Sequence, residues 1–267
     1  FITANTHSDI LFFSTKGKVY RNKMYELPEG KRATKGKFIS NFLPLDDGES
    51  VTSVVALDKN SKENVDSLIM VTKNGTVKKT EAKTFFEVRA SGLIAVNLKD
   101  DDELIDARFI SKGDSVILNS KNGKAIHFDE SNLREMGRTA GGVRGIKLGK
   151  GDCVVSLAIV PKEKRDIAKM LVITRNGYGK QTAVKDFKIQ NRGGSGIKAV
   201  KVTTKTGDLV GAKVVFDEHS EVIAMSGDSQ VIRVSLDSVP TLGRDTQGVR
   251  IMKLKSSDDA VVTFVRF

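Results

Sequence analysis

Residues 67–79 read SLIMVTKNGTVKK: an alternating apolar strand, an Asn74-Gly75 pair, and a second strand that returns carrying lysines. Asn-Gly between two alternating runs is a strong hairpin signal, and it predicts a two-residue type I′ turn in which both central residues have positive φ. The pattern comes round four more times, as ILFFSTKGKVYR from Ile10, SVILNSKNGKAIHF from Ser115, MLVITRNGYGKQT from Met170 and EVIAMSGDSQVIRV from Glu221. Asn122-Gly123 and Asn176-Gly177 repeat the pair; Lys16-Gly17 and Gly227-Asp228-Ser229 replace it with weaker turn chemistry. The hairpin glycines 17, 75, 123, 177 and 227 lie 58, 48, 54 and 50 residues apart (75−17, 123−75, 177−123, 227−177). A period near fifty carried by strands predicts a ring of sheets.

Working outward from the hairpin, each copy next reaches an arginine followed by a glycine: Arg32 to Gly36, Arg89 to Gly92, Arg138 to Gly142, Arg192 to Gly196 and Arg244 to Gly248. From hairpin glycine to box glycine the intervals are 19, 17, 19, 19 and 21 (36−17, 92−75, 142−123, 196−177, 248−227). A third strand follows, as FISNFLPL, GLIAVNL, GVRGIKL, GIKAVKV or GVRIMKL, then an acidic turn and a strongly apolar fourth strand. Four strands per unit of this length match a propeller blade. The fold class expected is therefore all-β, a propeller-like single domain over 1–267 with blades at about 8–58, 66–111, 114–161, 168–217 and 220–267. Phe1 to Asn5 reads as a surplus last strand from a preceding blade, which predicts a fragment of a parent with six units, the alternative being a strand exchanged between neighbouring blades. One helical turn is expected near Ser131 to Met136.

Of 267 residues, 39% are hydrophobic, enough for a buried core. No run of about 18 apolar residues offers a membrane helix, and a lone Cys153 rules out an internal disulfide framework, so a reducing cytoplasm is the expected setting. Forty-four Lys and Arg against 33 Asp and Glu give a net charge of +11, which favours a polyanionic partner.

Catalytic chemistry is sparse. His7, His127 and His219 fall at unrelated positions of the repeat, and one cysteine cannot complete a zinc site with them. Acidic residues recur at Asp46-Asp47, Asp100 to Glu103 and Asp258-Asp259, always in the same turn, where carboxylates capping backbone N–H groups explain them better than acid–base catalysis. A calcium loop is the alternative there, without the ordered ligand spacing it requires. No Walker-type phosphate loop is present, so no catalytic, cofactor-binding or metal-ligating residue is expected.

What does recur is base beside glycine. Lys31, Arg32, Lys35 and Lys37 surround Gly36, Arg89 precedes Gly92, and Arg138 and Arg144 flank Gly141-Gly142. Arg192 and Lys198 bracket Gly196, and Arg244 and Arg250 bracket Gly248. The hairpins add Lys16, Lys18, Arg21, Lys73, Lys78, Lys79, Lys121, Lys124, Arg175 and Lys180. Glycine permits close backbone approach and the neighbouring base supplies charge for a phosphate, so these residues are the expected duplex-DNA contacts on the rim of the ring. Few aromatics and no tryptophan argue against the stacking platforms of single-strand binders.

At Gln190-Asn191-Arg192-Gly193-Gly194-Ser195-Gly196, and in NGTVKKT, GVRGIKLGKGD, NGYGKQTAV and GRDTQGV, the chain resembles the C-terminal domains of DNA gyrase A subunits, over essentially its whole length. The resemblance implies a β-pinwheel whose blades exchange strands and which wraps duplex DNA, without sequence preference, around a basic edge. Negative supercoiling by an ATP-dependent type II topoisomerase follows from that wrapping. It also implies no cofactor in this domain, with ATP and Mg used elsewhere in the parent enzyme. The implied partners are duplex DNA and the N-terminal part of the A subunit, together with the B subunit in an A2B2 assembly. No membrane is implied, and the location is bacterial, cytoplasmic and nucleoid-associated. The family's Gln-Arg-Arg-Gly-Gly-x-Gly box belongs to its first blade; residues 190–196 are a similar heptad in a later one, departing at Asn191 and Ser195, and its special role does not transfer to them. The topoisomerase IV A subunit is the alternative within this resemblance, and a protein–protein adaptor propeller the alternative outside it.

Overall fold

A computed structural model describes residues 2–30, 35–99, 101–218 and 220–267. The fold is all-β, a five-bladed propeller of mainly four-stranded antiparallel sheets. Two compact units make it up, Phe1–Lys112 with Leu133–Val143, and Gly113–Asn132 with Arg144–Phe267.

The first repeat contributes β1 (Asp9–Ser14), β2 (Lys18–Lys23) and β3 (Val51–Leu57). The second gives β4 (Ser67–Thr72), β5 (Thr76–Glu81), the two-residue β6 (Leu93–Ile94) and β7 (Leu104–Ile110). The third gives β8 (Ser115–Ser120), β9 (Lys124–Asp129), β10 (Val143–Arg144) and β11 (Val154–Val160), and the fourth β12 (Lys169–Thr174), β13 (Tyr178–Ala183), β14 (Ile197–Lys198) and β15 (Leu209–Val215). The fifth supplies β16 (Glu221–Ser226), β17 (Val231–Ser235), β18 (Val249–Arg250) and β19 (Val261–Arg266).

Repeats and sheets are out of phase. The sheet orders are β3-β1-β2-β6, β10-β5-β4-β7, β11-β8-β9-β14, β15-β12-β13-β18 and β17-β16-β19. Each short strand after a box glycine thus leaves its own repeat and closes the edge of the preceding sheet. The fifth sheet has three strands among the described residues, and Val231 at the head of β17 is 54% exposed.

Alternation along the strands makes the core. In β1, Leu11 and Phe13 face a cluster with Leu68, Met70, Phe85 and Leu104, while Ile10 and Phe12 turn to the opposite side with Tyr20 and Leu43. Ile117, Met170, Val172, Phe187 and Val214 fill the corresponding space in the second unit, and Leu171, Ile173, Val222 and Phe264 a further layer. In all five sheets the ladder between the first hairpin strand and the last strand of the repeat shifts register at the same point, between Phe13 and Ser14 in the first and between Met225 and Ser226 in the last, where a bulge sharpens the twist ahead of the turn.

Several expectations are corrected. Asn74, Asn122 and Asn176 do not have positive φ; only the glycine after each does, so the turns are not type I′. Gly75 N–H donates to Thr72 O at 3.0 Å, closing a four-residue turn whose last residue is left-handed, the longer hairpin that ends in a glycine bulge. In the fifth hairpin the left-handed residue is Ser229, φ 60°, and not Gly227. Counted from Ser229, the interval to Gly248 becomes 19 (248−229), in line with the other copies.

FISNFLPL forms no strand. Asn41 and Phe42 N–H groups donate back to Phe38 and Ile39 carbonyls in a 3-10 turn, Ile39–Asn41, leaving Phe38 82% exposed while Leu43 is buried. Ile2 to Asn5 joins no sheet either. Asn5 O accepts from Ser8 N–H at 2.9 Å and its Oδ1 from His7 N–H at 3.0 Å, an Asx-type turn in place of a ladder; Phe1 lies outside the described residues. The helical turn expected at 131–136 is a 3-10 turn at Glu130–Asn132, and a short α-helix, Lys59–Asn64, joins the first two repeats.

Candidate nucleic-acid interface

The box strands are placed by glycine. At Gly142, φ 87°, a Cβ would stand 2.7 Å from Val77 O, so only glycine lets the chain run this close to β5. At the hairpin end, Ile251 and Met252 N–H groups both donate to Gly177 O, at 2.8 and 3.0 Å, and the same doubled bond joins Ala199 and Val200 to Gly123 and Ala95 and Val96 to Gly17. Sequence spacing is thereby converted into a fixed docking of the later four boxes on the hairpins before them.

Docking sets the second residue after the box glycine on the sheet edge. Those residues are Ile94, Arg144, Lys198 and Arg250, all exposed. Three positions further on stand Asn97, Lys147, Lys201 and Lys253, with the three lysines also exposed. These three were missed in the reading of the sequence, although the signal is present in GVRGIKL, GIKAVKV and GVRIMKL as base, two residues, lysine. On the edge of the third sheet Lys198 is registered directly against Lys124. Like charges placed opposite one another cost stability, and here the Lys198 ammonium is paired with Asp245 at 3.1 Å, which offsets that cost. Arg250 donates to Tyr178 Oη at 2.9 Å and lies over its ring, 5.4 Å from the centroid.

The box arginines lie behind that edge. Arg138 Nη1 donates to Ile94 O at 2.6 Å, Arg192 Nη1 to Arg144 O at 3.1 Å and Arg244 Nη1 to Lys198 O at 3.1 Å. Every acceptor is the residue two after the preceding box glycine. Arg192 adds a bond from Nε to Asn132 O at 3.1 Å. These three arginines thus latch one box to the next.

Lys78 and Lys180 are corrected outright. They are 1% and 0% exposed, and their ammonium groups donate to backbone carbonyls: Lys78 to Ala95 O at 2.7 Å, to Ala140 O at 3.2 Å and to Arg138 O, Lys180 to Gly243 O at 2.5 Å and Arg244 O at 2.6 Å. Burial pushes Lys78 down to about 8, helped by the Arg138 guanidinium. Burial likewise pushes Lys180 down to about 8, with Asp245 opposing and Arg244 assisting. Neither can touch a phosphate. Lys79, 9% exposed, leaves the exposed set with them.

In the hairpin loops themselves the expected bases meet the acidic turns. Lys16 Nζ donates to Asp47 O at 2.7 Å, and ion pairs join Lys18 to Asp46 at 2.6 Å, Lys73 to Glu103 at 3.1 Å and Lys121 to Asp208 at 3.3 Å. Arg175, in the same hairpin position as Lys73 and Lys121, is exposed. Arg21 lies 3.7 Å from Asp9, whose carboxyl burial would raise but the Lys23 and Lys62 ammonium groups hold below its ordinary value. Lys35, Lys37 and Arg89 are exposed, and Lys31 and Arg32 lie outside the described residues.

The acidic turns perform the capping expected of them. Asp102, Asp152 and Asp259 each accept through Oδ1 from a hairpin-loop N–H, of Asn74, Asn122 and Asp228, at 2.9 to 3.0 Å. His127 bridges Phe187 O and Ser115 Oγ at 2.8 and 2.7 Å inside the core. Among the described residues no three His, Cys, Asp or Glu side chains gather as a metal site requires.

Fold and edges together define the class: a β-propeller of repeated, box-bearing blades. The sequence profile of the family described as "DNA gyrase C-terminal domain, beta-propeller" matches residues 8–58, 66–111, 114–161, 168–215 and 220–267, and the chain belongs to this family. The A subunit of DNA gyrase from Staphylococcus epidermidis (strain ATCC 12228) is 39% identical over 253 residues, 95% of this chain and 28% of the relative. The A subunit of DNA gyrase from Escherichia coli (strain K12) is 40% identical over 260 residues, 97% of this chain and 29% of the relative. The chain therefore spans less than a third of the length of these relatives. A solved DNA gyrase A C-terminal domain superposes with TM-score 0.81 at 28% identity, covering 98% of this chain and 83% of that one. The C-terminal domain of a DNA topoisomerase IV superposes with TM-score 0.84 at 25% identity, covering 98% and 80%.

Proposed function

We propose that this domain binds duplex DNA through its backbone phosphates, bending and wrapping it without sequence preference, as the C-terminal domain of a gyrase A subunit. Its service to the parent enzyme is negative supercoiling in an A2B2 assembly with the B subunit. That enzyme works in the bacterial cytoplasm and draws on ATP and Mg bound elsewhere. The observation that carries this reading is a base in an edge strand followed three residues on by an exposed lysine, Arg144 with Lys147, repeated as Lys198 with Lys201 and as Arg250 with Lys253. Cations repeated from blade to blade neutralise phosphates and offset the cost of bending, on the order of 1–6 kcal/mol for a short site bent by 40–90°. The resemblance to a topoisomerase IV domain supports a second reading, decatenation with substrate selection.

The test is plasmid relaxation and religation with the domain bound. A trapped positive writhe is the expected result; unchanged linking number separates simple binding from wrapping. Affinity for linear duplex that does not fall between low and physiological salt would sink the electrostatic model.

A further inference from the structure

Hairpin strands place one residue at the same register in every blade: Tyr20 opposite Phe12, Lys78 opposite Met70, Ile126 opposite Leu118, Lys180 opposite Val172 and Ile232 opposite Ala224. In three blades that side chain is aromatic or aliphatic, as a buried strand position demands. In the second and fourth it is a lysine, nearly or fully buried, with backbone carbonyls for acceptors. A buried ammonium is costly unless its donors are satisfied, so a lysine is a poor choice for packing alone. Both lysines meet the carbonyl of a box arginine, Arg138 in one case and Arg244 in the other. Each of those arginines in turn latches the edge of the box before it, at Ile94 O and Lys198 O.

We propose that Lys78 and Lys180 are positioning residues for DNA binding: each ammonium fixes the backbone of the next box, and with it the arginine that holds the preceding edge strand in place. This rests on the DNA-binding reading above. Their positive charge is directed inward, at carbonyls, and reaches DNA only through the geometry it imposes. Lys124 and Lys198, exposed on the third edge, are the contrasting direct ligands.

The experiment compares Lys78→Met and Lys180→Met with Lys124→Met, following amide hydrogen exchange in the free domain and affinity for linear duplex across a salt series. Expected are at least tenfold faster exchange at residues 137–142 or 243–248, weaker binding at every salt concentration, and an unchanged slope of log affinity against log salt. Lys124→Met should leave exchange unchanged and reduce the slope by about 0.9, the loss of one phosphate contact. Box exchange unchanged in the buried-lysine variants, or a slope reduced as in Lys124→Met, would overturn the proposal. Acetylation of the wild type keeps the question open to refutation where a variant does not fold. Lys78 and Lys180 should stay unmodified with and without DNA, and reaction at the rate of Lys124 with protection by DNA would overturn it. Wild type that binds no duplex at low salt overturns the DNA-binding reading itself, while the exchange result still reports on the box separately.

Discussion

Arg192 donates from Nη1 to the backbone carbonyl of Arg144 at 3.1 Å, so one basic residue holds the strand that presents another. Their side chains consequently have separable effects. Arg192→Ala removes this bond and the one to Asn132 O, and should cost about 1–3 kcal/mol of stability in urea denaturation. Arg144→Ala should leave stability within about 0.5 kcal/mol. It should nonetheless reduce the salt slope of DNA binding by about 0.9. Equal stability losses in the two variants would refute the division.

Gly177 and Ser229 occupy equivalent left-handed positions, φ 81° and 60°, under different constraints. A Cβ on Gly177 would collide with the Met252 carbonyl, whereas Ser229 carries a Cβ in the one hairpin whose sheet has three strands. Gly177→Ala should therefore destabilise by more than the roughly 1–2 kcal/mol of left-handed strain alone. Ser229→Gly should be neutral or stabilising, because relief of strain opposes the added chain entropy. Thermal unfolding of both variants checks this, and a Gly177→Ala domain as stable as wild type counts against box docking.

Blade count and strand order within a repeat were legible because glycine spacing and period-2 alternation are local signals. Exchange of the short strands between sheets was legible only through the family resemblance, since β14 adopts two extended residues whether it pairs within its repeat or beyond it. Charge was legible as composition but not as direction. Lys78 and Lys79 are adjacent bases that read as surface, yet contacts with Ala95 O, Arg138 O and Ala140 O, all far ahead in sequence, turn Lys78 inward. The opposite error concealed Lys147, Lys201 and Lys253, which sit inside segments read as apolar strands.

Two sets of bases make different predictions about where DNA runs. Lys147, Lys201 and Lys253 follow the box strands, while Lys73, Lys121 and Arg175 belong to the hairpin loops, where Glu103 and Asp208 already engage the two lysines. Exchanging the first three for Gln should lower the salt slope by about 2.7 and weaken duplex binding uniformly across sequences. Exchanging the second three should have a smaller effect, because carboxylates compete with phosphate there. A larger effect from the loop set would move the interface onto the acidic turns.

Lys78 and Lys180 also give stability a pH dependence whose sign is unusual for lysine. Their folded values, about 8, lie below the ordinary 10.5. Between those limits the folded domain releases protons that the unfolded chain retains, so the unfolded state binds more protons and unfolding becomes harder as pH rises. Below pH 8 both states hold the protons, and the cost of burying the charged forms is present in full. Wild type should accordingly gain stability relative to a Lys78→Met, Lys180→Met double variant as pH increases from 8 to 10, as measured by urea denaturation at half-unit intervals. Tyr20, raised by burial and by its 2.9 Å bond to Glu49, is common to both proteins and drops out of the difference. A gap that stays constant over that range would mean that the two ammonium groups keep ordinary proton affinities, with their carbonyl partners offsetting the burial in full.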